Sequence, residues 1–268
     1  MKNWIKISLW SVFATIILAL GIKIKSDLEA EILKEPNIII HVDDENSFIN
    51  KAELLGRLKT ENLLFNGQKR KDFNIERIEE FISSISQVKC VDVFQTINGD
   101  WQIDVQIRKP IARIFNKFGE SYYLDSKGNT MNTTPSHTAR TLVVTGNIKD
   151  RSNSISTAEI INNDSLISIR KLDDIYRISS YVCNDPLFHS LVGQIHLEKN
   201  GDFILVPLVG DQKIVFGTAH SSTEVKSKFE KLKIFYNEAM SYEGWTTYSE
   251  ISLKFEDQIV CKKKNTNE

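Results

Sequence analysis

Residues Ile75–Phe115 read IERIEEFISSISQVKCVDVFQTINGDWQIDVQIRKPIARIF. Ile75, Ile78, Ile82 and Ile85 recur at three- and four-residue spacing, which gathers them on one face of a helix. Val91 and Val93 then alternate with polar neighbours. Asn98-Gly99-Asp100 supplies a turn. Trp101, Ile103, Val105 and Ile107 alternate with Gln102, Asp104, Gln106 and Arg108, the pattern of a strand with one buried face. Pro110 has no backbone N–H, so it ends that ladder or marks an edge.

Upstream, Asn37–Val42 (NIIIHV) is a short apolar run that fits a first strand. Asn50 and Glu53 stand at the spacing of a helix cap ahead of Leu54, Leu55 and Leu58. Gly67–Lys71 is a polar loop. The order strand, helix, helix, strand, strand therefore occupies residues 36–109. Residues 26–35 are charged and read as a linker or stalk that Pro36 ends.

Trp4–Ile24 is apolar apart from Lys6, Ser8, Ser11, Thr15 and Lys23. A spanning helix needs roughly 20 apolar residues, so residues 1–25 read as a short tail and a transmembrane anchor. Trp4 and Trp10 suit the headgroup belt, and Lys6 and Lys23 can snorkel outward. A cleaved signal peptide is the rival reading, with Ala19-Leu20-Gly21 as small residues at a cleavage position. The length of the apolar block favours the anchor. Lys2 and Lys6 before it are balanced by Lys23 and Lys25 after it. Only the short tail and the large following domain favour a cytoplasmic N-terminus.

Downstream, residues 110–262 read as a β-rich domain with flanking helices. Gly128 follows Asp125-Ser126-Lys127 where a turn needs left-handed backbone. Ser156–Val182 reads as one helix with an irregular start, with Asp173-Asp174 on its polar face. Asn200-Gly201 and Gly210-Asp211 mark hairpin turns. Val225, Phe229, Leu232, Tyr236 and Ala239 form a helical stripe, and Glu250–Cys261 reads as a last strand. Residues 263–268 are expected to be disordered. The fold class is thus α+β.

Composition narrows the function. The 268 residues carry a formal net charge of −1, which argues against broad electrostatic capture of nucleic acid or of a lipid surface. Cys90, Cys183 and Cys261 are too dispersed for a disulfide framework and read as free, mostly buried thiols. There is no phosphate-cradling glycine loop and no nucleophile elbow. The 5 histidines are scattered, with His196 facing outward from a strand. His41-Val42-Asp43-Asp44-Glu45 reads as a solvated acidic loop, since its carboxylates share no helical face and no second histidine is near. The Lys262-Lys263-Lys264 run reads as a solubilising end. No catalytic residue, cofactor or metal is expected.

The helix, strand, turn and strand, with the Arg-Lys-Pro-Ile-Ala exit, resemble the end of a POTRA module in the FtsQ/DivIB family of bacterial cell-division proteins. Val88, Val91, Val93, Ile103, Val105, Arg108, Lys109, Pro110, Ile111 and Ala112 occupy the positions of that pattern. Tyr123–Gly128 is similar to the family's hydrophobic-Asp-x-x-Gly turn. Leu142–Gly146 is similar to its next step, without the proline. The resemblance extends over nearly the whole chain.

It implies a transmembrane helix, a POTRA module and a β domain. It also implies a non-enzymatic scaffold of the divisome that links early and late division proteins and helps control septal peptidoglycan synthesis. FtsB/FtsL-like partners would meet the β domain, and other divisome proteins the POTRA module. The location implied is the inner membrane at the septum, single-pass, with the C-terminal domains periplasmic. Arg108, Lys109 and Pro110 would form the inter-domain junction, and Trp4, Trp10 and Lys23 the anchor.

The family's partner-binding arginine and tyrosine fall on Lys254 and Phe255. Lys keeps the charge without the planar fork, and Phe keeps the ring without the hydroxyl. The family's Ser-Gly turn falls on Asp257-Gln258, without the glycine, and its nearby tryptophan has no counterpart. If Glu250–Cys261 lies at a sheet edge, it can accept a strand from a partner. Ser252, Lys254, Phe255, Gln258 and Val260 are the candidate contacts, with Leu253 and Phe255 as core residues the alternative. Rival readings are another envelope POTRA protein, an anchored binding module, or an exported enzyme with an unfamiliar site.

Overall fold

The computed structural model describes residues 2–42, 48–96, 100–152, 157–162, 166 and 170–264, with backbone alone for 2, 3, 5–7, 158 and 160. The turn residues Asn98-Gly99, the acidic Asp43–Glu45, the Ser156 helix start, the Lys6 side chain and residues 265–268 of the tail lie outside the described residues. The chain forms two compact units. One comprises Met1–His41 with Ile49–Ile107, the other Arg108–Glu268 with the short segment Val42–Phe48.

In the first unit, α1 (Lys2–Ala30) contains the apolar span Ser8–Ala30, none of it buried against protein. Then come β1 (Asn37–His41), α2 (Lys51–Thr60), α3 (Ile75–Ser83), β2 (Val88–Gln95) and β3 (Trp101–Ile107). This is the β-α-α-β-β order expected from the sequence. The sheet order is β1-β3-β2, with β1 parallel and β2 antiparallel to β3. Local chemistry sets the helix starts: Asn50 Oδ1 accepts from Glu53 N at 2.8 Å, and Asn74 Oδ1 from Arg77 N at 2.9 Å, as N-caps do. The Glu53 carboxylate reaches forward to Arg57 at 2.7 Å. Ile78 and Ile82 are fully buried, and β3 buries Trp101, Ile103, Val105 and Ile107 in strict alternation.

The second unit is a nine-stranded sheet with helices. Its elements are β4 (Pro110–Phe115), β5 (Ser121–Asp125), β6 (Thr130–Asn132), β7 (Leu142–Gly146), α4 (Thr157–Ile161), α5 (Leu172–Asn184), α6 (Pro186–Leu191), β8 (Val192–Leu197), β9 (Phe203–Pro207), β10 (Lys213–Gly217), α7 (Ser222–Ile234), α8 (Met240–Glu243), β11 (Tyr248–Ser252) and β12 (Val260–Lys263). The strand order is β12-β11-β10-β9-β8-β7-β4-β5-β6. Ile178, Val182, Phe188, Phe216 and Phe229 are buried in its core, and Tyr181 stacks on Phe229 at 4.4 Å.

Two glycines are required where they stand. Gly128 has φ +82°, and a Cβ there would meet Thr157 Oγ1 at 1.8 Å. Gly146 has φ +111°, and a Cβ would meet the Leu197 carbonyl oxygen at 2.2 Å, because the β8 backbone passes directly over it.

Three sequence expectations are corrected. Ser156–Val182 is not one helix: among the described residues α4 ends at Ile161, Asn162 is a turn, residues 170 and 171 are non-helical or capping, and α5 begins at Leu172. The break lies where buried Asp150 holds the chain: its Oδ2 accepts from Lys171 N at 3.2 Å and its Oδ1 from Arg170 Nη1 at 3.4 Å. Asp173 and Asp174 are buried, not a polar face. Arg177 Nη2 lies 3.0 Å from Asp173 Oδ2, and Arg177 Nη1 lies 2.9 Å from Asp174 Oδ1. Lys171 Nζ also reaches Asp174 Oδ2 at 3.0 Å. Both carboxylates stand in the first turn of α5, where the helix dipole favours negative charge. The thiols are free, but Cys90 is exposed and Cys183 and Cys261 are only half-buried.

Candidate partner interface

The proposed terminal strand Glu250–Cys261 is not one strand. It is a hairpin, β11 and β12, joined by residues 253–259. Ser252 pairs with Val260, Ile251 with Cys261 and Glu250 with Lys262. β11 is flanked on its other side by β10, in parallel register from Lys213↔Glu250 to Val215↔Ser252. β12 is therefore one of the two outermost strands of the nine, with β6 at the opposite end. Ser252 sits inside the sheet, Val260 sits on the edge strand, and Lys254, Phe255 and Gln258 lie in the connecting loop. The physical reason is Leu253. Its N–H donates to the Val215 carbonyl at 2.8 Å and its side chain is fully buried, so the chain turns away once that residue is seated.

Loop geometry separates core from surface. Leu253 is core, whereas Phe255 is 48% exposed and Val260 43%. Gln258 is also exposed, and Ile259 packs against the core. The loop is nonetheless held on two sides. Lys231 Nζ, from α7, donates to the carbonyl oxygens of Phe255 at 2.8 Å and Glu256 at 2.6 Å. Lys254 Nζ pairs with Asp202 Oδ2 at 2.7 Å, and its stem lies across Gly217. Lys254 is thus spent on an internal contact at the β8–β9 turn. Lys231 and Asp202 carry no sequence signal that links them to this loop.

Along β12, Cys261 is partly covered and burial pushes its thiol up from the usual range, which favours the protonated, unreactive form. Lys262 and Lys263 are exposed. Lys263 lies 3.4 Å from Glu243 and Lys264 3.1 Å from Asp211. The far end of the hairpin is thus tied to α8 and to the β9–β10 turn, while the outer edge of β12 pairs with no described strand.

The other expected positions are also placed. Arg108 Nη1 meets Asp125 Oδ2 at 2.8 Å, and Asp125 is 3% exposed on its side chain. Asp125 Oδ1 accepts from Lys127 N at 2.8 Å and Asn129 N at 2.7 Å, while the Lys109 carbonyl accepts from Ser126 N at 3.0 Å. Pro110 begins β4 opposite Asp125. These residues brace the β5–β6 turn. Trp4 and Trp10 are 85% and 71% exposed on α1, where Lys23 is also exposed. His196 is exposed, with its Nδ1 3.0 Å from Thr145 Oγ1.

A cleft of about 380 Å³ lies at the starts of β4, β7 and β8, lined among others by Arg140, Cys183 and His189. No hydrogen bond joins Cys183 to His189, so the pair lacks the contact that activates a thiol nucleophile.

A family model described as FtsQ/DivIB, C-terminal related, matches residues 109–262, more than half of the chain. A model described as POTRA-like domain matches residues 31–106. No curated protein matches the chain.

Proposed function

Because the chain belongs to the FtsQ/DivIB family, we propose that it is a divisome scaffold that receives a strand of an FtsB/FtsL-like partner on β12 and helps control septal peptidoglycan synthesis. The family is one of non-enzymatic division scaffolds that act through protein–protein contacts. The observation that carries the proposal is the position of β12: it is the last strand of the nine-stranded sheet. Its open backbone edge can hydrogen-bond an added strand, which gives affinity, and the side chains beside it give selectivity.

The contact set follows from the hairpin. Val260 on the edge strand and Phe255 and Gln258 in the loop are exposed and offer an apolar and polar surface beside the edge. Lys254 acts through its hold on the loop, and Ser252 by pairing with Val260. The proposed layout is a tail and anchor at 1–25, a linker at 26–35, a POTRA module at 36–109 that meets other divisome proteins, and a β domain from 110 with a short tail after it. The β domain runs past the expected end at 262, since Lys263 pairs with Tyr248 in β12 and Lys264 N donates to the Thr247 carbonyl. Arg108, Lys109 and Pro110 open the β domain. One N-terminal apolar helix fits a single-pass anchor. The proposed orientation puts the short tail in the cytoplasm and the C-terminal domains in the periplasm, at the division septum.

The test is a fluorescent fusion at the N-terminus in dividing cells depleted of the native copy. A midcell band, with filamentation on depletion, supports the reading. An even envelope signal with normal division overturns it.

A further inference from the structure

The length of α1 carries a second conclusion, which rests on its reading as the membrane anchor. α1 runs unbroken over 29 residues, about 43 Å at 1.5 Å per residue. A hydrocarbon core is about 30 Å thick, and the bilayer with its headgroups about 40–45 Å. Within the Ser8–Ala30 span the last apolar residue before the charged Lys25, Asp27 and Glu29 is Ile24, and the rise from there to Ala30 is about 9 Å. That is roughly the depth of one headgroup layer. The end of α1 therefore emerges at the headgroup surface, and the usual tilt of about 20° brings it closer still.

A loop of the same unit is fastened there. Arg70 N donates to the Glu31 carbonyl at 3.0 Å, and Leu33 N to the Gln68 carbonyl at 2.9 Å. Ile32 and Lys69 form an antiparallel bridge between them. The loop at 63–73 presents Phe65, 50% exposed, together with exposed Lys69 and Lys71. Neither lysine has an ion-pair partner among the described residues. Much of the neighbouring acid is already engaged: Glu31 by Arg70 at 3.9 Å, Glu35 by Lys59 at 2.8 Å and Glu29 by Lys25 at 3.8 Å. Asp72 is the one carboxylate in the loop itself. Beside the loop opens a cavity of about 300 Å³, with Leu33, Pro36, Leu64, Phe65 and Phe73 in its wall and Lys34 and Lys59 in its lining.

We propose that this foot of the first unit binds the headgroups of anionic phospholipid in the bilayer that α1 spans. Lys69 and Lys71 take the phosphate, and Phe65 lies in the interfacial layer, as aromatic and cationic side chains do at a membrane surface. A near-neutral chain would not collect such a surface from solution. The anchor removes that need, because it holds the loop at the surface at high effective concentration. The cations then stand within the ~8 Å over which charge is felt at physiological salt. Contact would add a second hold on the first unit at the membrane surface, beside α1 itself.

The full chain, in nanodiscs of phosphatidylcholine alone or with phosphatidylglycerol, tests this by hydrogen exchange. Amides at 63–73 are expected to exchange roughly tenfold more slowly in the anionic discs. Lys69→Gln with Lys71→Gln is expected to remove that difference and leave exchange in β3 unchanged. Equal exchange in the two discs, with the α1 amides protected in both, overturns the proposal. So does a slowing that survives the double substitution. If the α1 amides exchange freely in both discs, the anchor reading fails, and the inference with it.

Discussion

Lys231 Nζ, on α7, donates a hydrogen bond to the backbone carbonyl of Phe255 at 2.8 Å. The backbone of the β11–β12 loop is thereby fixed from the helix side while the Phe255 ring remains half-exposed. A rigid loop that presents a free aromatic beside an open strand edge loses little entropy when a partner arrives.

Phe255→Ala is expected to separate binding from folding. Burying a whole Phe side chain is worth about 1.5–3 kcal/mol, so a half-exposed ring contributes about 1 kcal/mol to stability. Affinity for an FtsB-like partner is expected to fall at least about tenfold if the ring anchors the contact. Thermal melting and calorimetric titration of the full chain measure the two. A variant that melts far earlier, or binds like the parent, refutes the assignment.

Lys231→Met tests the support rather than the contact. It leaves two carbonyls to water at a cost of about 0.5–1.5 kcal/mol. Amides at 254–258 are expected to exchange faster, and partner affinity to drop although no contacting group has been removed. Unchanged exchange over the loop counts against Lys231 as its brace.

Arg177→Leu is expected to be the most damaging of these changes. It strips the guanidinium from Asp173 and Asp174, which are 1% and 2% exposed. Removing one partner of a buried ion pair costs about 3–5 kcal/mol. Lys171 moderates the loss at Asp174 alone. A denaturant midpoint close to the parent's would show that the two aspartates are held by something else.

Asp185→Asn separates a cap from a charge. The Asp185 carboxylate accepts from Leu187 N at 2.9 Å and Phe188 N at 3.3 Å and pairs with Lys233 at 2.8 Å. Burial opposes ionisation, but the Lys233 hydrogen bond and the two backbone N–H groups outweigh it and hold the carboxyl below its ordinary range. A folded pKa below the unfolded one adds stability that is present above about pH 4 and lost as pH falls through the folded value. Asn keeps the cap and loses the charge. The variant should melt lower than the parent at pH 7, and the gap should close below about pH 4. A gap that persists in acid would mean the cap, not the charge, was lost.

Thiol labelling gives a direct check of the edge. Cys90 is exposed and should react first with a small alkylating reagent. Cys261, half-buried with its thiol pushed up, should lag. A partner strand on β12 should slow Cys261 further and leave Cys90 unaffected. Equal protection of both would place the partner elsewhere.

Much of the fold was legible because it is written in local periods. The Ile78 and Ile82 spacing, the Trp101–Ile107 alternation and the Asn50 cap each need only a few neighbouring residues, and each appears as expected. The site was legible only in outline. Ile251, Leu253 and Phe255 alternate with Ser252, Lys254 and Glu256, a pattern that fits a strand running on to Cys261, yet alternation does not reveal where a chain must turn. Likewise, two adjacent aspartates look like a solvated face until an arginine one turn later reaches back over both.

By itself, then, the sequence determined the apolar N-terminal helix, the β-α-α-β-β module and the strand-rich remainder, because each follows from side-chain polarity along a short stretch. The tertiary structure alone decided that β12 is an outer edge and that residues 253–259 form a braced loop. Those outcomes depend on Lys231 and Asp202, which lie 24 and 52 residues from their partners in the loop, and contacts at that separation leave no periodic trace in the chain.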